Sequence, residues 1–187
     1  NLSAPWENWP KEKILARVKK GLEIAGYSQA NPLEIDYLYS DFELDDPIGT
    51  ELVSNLESGL PIKVTPIQKA WSDFQIGLDK KAFDVASIGW CLDYPDQSDY
   101  FSVFTSGSEF NRTGWSFEPF DKLVKESVSN FKKEIVVKAN NEAASVLLMH
   151  VPGTPIFFYE VGFEISDRVG NFQIYNELIN TPYLRIN

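Results

Sequence analysis

Residues 83–94, F-D-V-A-S-I-G-W-C-L-D-Y, decide the fold. Phe83, Val85, Ile88 and Trp90 favour a strand, Gly89 lets another backbone approach closely, and Asp93 follows just past the apolar run. The pattern predicts a strand over residues 83–90. Open α/β sheets bind ligands at the carboxyl ends of their strands, so an acid in this place points to binding, and to a ligand with a positive end.

Working outward, the preceding sequence has the alternation of an α/β layer. Leu33, Ile35, Tyr37 and Tyr39 alternate with Glu34, Asp36 and Leu38, the period of a strand with one buried face. Residues 47–58 favour a helix that Gly59 breaks, residues 62–66 a second strand, and residues 70–80 a helix with Trp71, Phe74 and Leu78 on one side. Strand, helix, strand, helix, strand at this spacing requires crossover connections and at least partly parallel pairing. Before this unit, Ile14, Leu15, Val18, Leu22 and Ile24 recur at helical spacing, with Pro10 ahead and Gly26 behind, which predicts a surface helix over residues 11–25. After it, residues 119–129 and 132–149 are expected to be helical. Residues 156–161 form an apolar run that predicts a central fourth strand. The fold class is therefore α/β, a mixed and partly parallel sheet flanked by helices, read as a single domain over residues 1–187.

Composition narrows the function. The 187 residues are 43% hydrophobic, enough for a core, and the five Trp, eight Tyr and thirteen Phe leave rings to line a cleft as well as to fill an interior. A net charge of −10 with scattered basic residues argues against nucleic acid. One His and one Cys leave no His-rich metal site, no structural zinc site and no disulfide within the chain. No cofactor motif is present. No run of eighteen apolar residues occurs, and the polar opening at Asn1 carries no secretory signal.

The ordered motifs carry a resemblance. The G-W-C-L-D-Y run at 89–94, Trp71 nineteen residues before Trp90, N-R-T-G-W at 111–115, P-F-D-K-L at 119–123 and P-I-F-F-Y at 155–159 together resemble the extracytoplasmic solute-binding proteins of peptide ABC importers, the oligopeptide-binding family. The resemblance covers nearly the whole chain and only the later part of that family's second lobe. It implies part of one lobe of a bilobed, type II periplasmic-binding-protein-like fold. It also implies a periplasmic or extracytoplasmic site of action, a precursor with a signal peptide or a lipid anchor, and membrane permease subunits of an ABC importer as partners of the intact protein.

The same resemblance assigns ligand-binding roles. Asp93 is implied to hold the ammonium of an oligopeptide, the backbone of Gly89, Trp90 and Cys91 to pair with the peptide main chain as an added strand, Trp71, Trp90 and Tyr159 to line side-chain pockets, and Asn111 to make a polar contact. Each has a structural competitor: Asp93 as a cap of the turn at residues 93–96, the rings as core, Cys91 as a buried thiol or as half of a pair whose partner lies outside this chain. Ser87 departs from the pattern, because relatives often carry Arg there, three residues before the Trp, and Ser cannot hold a ligand carboxylate. His150, close to Pro152, is read as a helix-end or packing residue.

Two other classes compete with peptide capture. Asp93, Asp96 and Asp99 offer a conceivable acid and base pair for hydrolysis, against which stands the reading of D-Y-P-D-Q-S-D as solvated turn residues. Alternatively the chain is a structural piece that binds nothing alone, or it carries another solute, such as a dipeptide, a nickel chelate or a sugar.

Overall fold

A computed structural model of the chain describes residues 4, 6–41, 45–93, 96–156, 164–170, 174–175, 178–179 and 185–186. Helix α1 (Lys11–Ile24) begins after Pro10 and stops where Gly26 takes a positive φ of 89°, a conformation that costs glycine no Cβ clash. It buries none of its residues, and the Trp9 ring ahead of it is capped by the Lys13 ammonium 3.9 Å from its centroid.

The α/β layer follows. Strand β1 (Leu33–Ser40) pairs in parallel with β2 (Ile62–Lys69) along its full length, from Leu33 opposite Ile62 to Ser40 opposite Lys69. On its other side β1 takes β3 (Val85–Ala86), also parallel, opposite Tyr37 and Leu38. The order β2-β1-β3 makes β2 an edge, which is where Pro66 can sit in a strand without leaving a ladder bond unmade. Helices α2 (Asp45–Glu57) and α3 (Trp71–Asp79) are the crossovers. The strand–helix–strand–helix–strand reading is thus realised.

Period-two alternation divides the core. Tyr37 and Tyr39 face α2 with Val64, packing on Leu52, Val53 and Leu56, while Leu38 between them faces α3 and meets Phe74 and Leu78. A Cβ added at Gly77 would come 2.9 Å from a Leu38 methyl, so the glycine is what lets α3 lie so low on β1. The second half of β1, from Tyr37 to Ser40, is buried on both faces, where the alternation predicted one. A central strand covered on two sides loses its polar face.

Two expectations are corrected. The strand expected over residues 83–90 shrinks to Val85–Ala86, with flanking backbone bonds from Asp84 N–H to the Asp36 carbonyl and from Ser87 N–H to the Leu38 carbonyl. Beyond Ser87 the chain leaves β1, although Ile88 and Trp90 keep a strand-like composition. The polar D-Y-P-D-Q-S-D segment, expected to be a solvated turn, contains a short helix α4 (Gln97–Ser102) in which Ser98, Asp99 and Phe101 are buried. The Asp96 side chain accepts the Ser98 N–H at 2.8 Å and caps it. Residues 157–161 of the expected fourth strand lie outside the described residues.

A helical unit completes the layer. Helices α5 (Glu118–Ser129) and α6 (Lys133–His150) pack on α4 around Phe101, Phe104, Phe120, Val124 and Ala143. A buried hydrogen bond of 2.5 Å from the Ser127 hydroxyl to the Asn140 amide oxygen ties α5 to α6. His150 ends α6 stacked 4.3 Å from Phe117 and 5.6 Å from Trp115, which makes it a packing residue. Toward the carboxyl end, β4 (Val169–Gly170) pairs antiparallel with β7 (Arg185–Ile186), and β5 (Ile174–Tyr175) with β6 (Leu178–Ile179).

Candidate functional site

Parallel strands put their carboxyl ends on one edge, and the candidate residues gather there. Trp71 opens α3 directly after β2, and residues 87–93 run on from β3. Strand β1 lies between the two segments. Trp71 is 58% exposed, its ring resting 5.7 Å from Phe74, so it is not consumed by the core.

The loop after β3 is held at both ends. At one end, the Ser87 hydroxyl sits 2.5 Å from the Tyr37 hydroxyl and its N–H donates to Leu38. At the other end, the Asp93 N–H donates to a carboxylate oxygen of Asp99 at 3.0 Å. Between these anchors the backbone N–H and C=O groups of Ile88, Gly89 and Trp90 have no partner among the described residues. Ile88 and Leu92 are exposed apolar side chains. A backbone with open hydrogen-bonding groups beside a sheet is what an added strand requires.

Asp93 is exposed, and its carboxylate has no partner among the described residues. The turn-capping alternative is filled by another residue: Asp96 caps α4, and its carboxyl is held below the usual range by the Ser98 side-chain and backbone hydrogen bonds. Trp90 is half-buried, edge-on to Phe110 at 5.1 Å, and its indole N–H is shut off from solvent without an acceptor among the described residues. Cys91 is exposed, which corrects the buried-thiol alternative. Tyr159 lies outside the described residues.

Asn111 has a structural use. It is buried, and its amide nitrogen donates to the carbonyls of Phe104, Thr105 and Trp115, while its oxygen accepts the Thr113 hydroxyl and the Gly114 N–H. The side chain is spent on its own loop. That loop packs against the sheet unit through the Arg112–Asp79 ion pair and through Lys81, whose Nζ would lie 2.9 Å from a Cβ at Gly114. Asn111→Ala is therefore expected to lower stability by about 2–3 kcal/mol, since several buried partners lose their bonds at once. Urea denaturation checks this, and a loss below about 0.5 kcal/mol would show that the loop does not depend on the amide.

Sequence reasoning had Asp99 only as a candidate acid for hydrolysis and missed its bracing role. Asp99 is 5% exposed, in the first turn of α4, and it braces the backbone of Asp93. Its signal was an Asp96 in capping position before Tyr100 and Phe101, a helix start hidden in a polar stretch. Of the three acids, Asp96 is a cap, Asp99 a brace and Asp93 exposed.

No family model matches the chain. Curated relatives do. It is 25% identical over 176 residues to the periplasmic oligopeptide-binding protein OppA of Escherichia coli (strain K12), covering 94% of this chain and 32% of that protein. It is 26% identical over 177 residues to the periplasmic murein peptide-binding protein MppA of the same organism, covering 92% of this chain and 32% of the relative. Among solved structures, Haemophilus influenzae OppA in complex with RPPGFSPFR superposes with a TM-score of 0.85 at 25% identity, over 97% of this chain and 36% of that one. This chain is a homologue of the periplasmic peptide-binding proteins. It spans about a third of the length of the curated relatives it matches, consistent with part of the second lobe. Burkholderia pseudomallei OppA, 20% identical, shares the fold with a TM-score of 0.88 over 99% of this chain and 37% of that one. The homologues are solute-binding proteins, not enzymes. No helix among the described residues is long and apolar enough to cross a membrane.

Proposed function

We propose that this chain forms one wall of a cleft that captures oligopeptides for an ABC importer, acting outside the cytoplasm with membrane permease subunits as partners of the full-length protein. The observation that carries this reading is the loop after β3, where the backbone of Ile88, Gly89 and Trp90 and the exposed carboxylate of Asp93 have no partner among the described residues. The peptide main chain pairs with residues 89–91, which recognises peptides without reading their sequence. Its ammonium meets Asp93. Trp71 and Trp90 flank the line of the ligand as apolar walls, with Tyr159 assigned to the same lining, and Asn111 serves by holding the loop on which Phe110 meets Trp90.

The wall is half of a binding site. An ammonium resting on Asp93 in this chain stays in contact with water, and exposed ion pairs contribute only about 0–1 kcal/mol. Closing a second surface over the peptide removes that water and strengthens every polar contact. Titration calorimetry tests the reading in two arms. The full-length protein is expected to bind unmodified peptides tightly and return them unaltered by mass spectrometry, while the 187-residue chain binds weakly or not at all. Submicromolar affinity of the chain alone would overturn the half-cleft account, and cleavage of the peptide would overturn carriage.

A further inference from the structure

We propose that Asp99 is a positioning residue of the peptide site: its buried carboxylate fixes the backbone of Asp93, and so sets the direction of that acid. The proposal rests on the ammonium-binding reading of Asp93 and adds a residue to it. Asp99 is 5% exposed, and its Oδ2 accepts the Asp93 N–H at 3.0 Å. None of the salt bridges among the described residues includes it. A carboxylate removed from water without a cation is costly, so it is retained where hydrogen bonds to it have a use.

The use lies in the geometry of the loop. Ser87 is tied to β1, and Asp93 is tied to α4, so residues 88–92 are stretched between two rigid elements. Helix α4 is itself fixed by Phe101 in the helical core and by its Asp96 cap. Asp99 is thus the point at which that core sets the position of the loop after β3. This bond holds the backbone at Asp93 itself, and without it a peptide would have to order that acid on arrival. Pre-organisation of this kind lowers the entropic cost of binding.

The test uses the full-length binding protein, an unmodified tripeptide and its amino-terminally acetylated form, with Asp99→Ala, Asp99→Asn, Asp93→Asn and the Asp99→Ala/Asp93→Asn double variant. Asp99→Ala is expected to weaken the unmodified tripeptide about tenfold to a hundredfold, the scale of a hydrogen bond to a charged group. Asp99→Asn, which keeps an acceptor at the same reach, is expected to recover most of that loss. Hydrogen exchange at the Asp93 amide should accelerate in Asp99→Ala and stay slow in Asp99→Asn, a readout that general destabilisation would not confine to one amide. In the Asp93→Asn background, Asp99→Ala should add less than about threefold, because coupled residues are not additive. If Asp99→Ala does not fold, Asp99→Ser, too short to reach the amide, replaces it with the same expectations. Harm from Asp93→Asn together with no effect of Asp99→Ala on affinity or on that amide overturns the positioning role. No effect of Asp93→Asn on the unmodified tripeptide overturns the ammonium reading instead.

Discussion

Asp93→Asn in the full-length protein is expected to weaken peptides with a free amino terminus by about 2–5 kcal/mol, the cost of removing one partner from a desolvated charge pair. The size depends on closure. In the chain as it stands Asp93 is exposed, and the same substitution there should change little. The large effect arises only when a second surface seals the peptide's ammonium from water, leaving it with an amide dipole where it had a full negative charge. Acetylated peptides bring no charge to lose and should be affected much less. Calorimetry with the two peptide forms measures the difference. Equal losses for both would remove Asp93 from the ammonium site and leave it as a loop residue.

Phe120→Ala is expected to destabilise the chain by about 3–5 kcal/mol. Phe120 has no exposed surface, and it sits where the three helices of the second unit meet, edge-on to Phe101 at 6.1 Å and to Trp115 at 5.1 Å. Its loss leaves a ring-sized void and also ends two aromatic contacts, each adding about 0.5–1.5 kcal/mol beyond buried area. Against a typical total stability of about 5–15 kcal/mol, that is a large fraction. Because Phe101 holds α4, and α4 holds Asp99, the loss should also reach the loop at Asp93. Thermal and urea unfolding measure the first effect and hydrogen exchange the second. A loss below about 1 kcal/mol would show that the three helices do not share this core.

The α/β layer was legible because its signals are local. The alternation from Leu33 to Tyr39, the helix stop at Gly59 and the stripe of Phe74 and Leu78 each answer to one period, and the parallel order follows from crossovers of sufficient length. The extent of β3 was not legible, since Ile88 and Trp90 look like strand residues and only the departure of the backbone after Ser87 ends the ladder. Helix α4 was hidden for the opposite reason. Its composition is polar, and burial of Asp99 and Phe101 depends on α5 and α6, which come later in the chain. Asn111 shows the limit for single residues: as a letter in N-R-T-G-W it fits a ligand contact, whereas its surroundings occupy both ends of the amide. The placement of Asp93 and Trp71 after parallel strands was legible because both follow directly on strand-forming runs, and both are exposed in the structure.

The hydroxyl contact between Ser87 and Tyr37 limits how this scaffold can be retuned. Installing a guanidinium at position 87 would first strip Tyr37 of that contact inside a stretch of β1 that is buried on both faces. Under the proposed capture reading, position 87 is therefore a poor place from which this wall could fix where a guest ends.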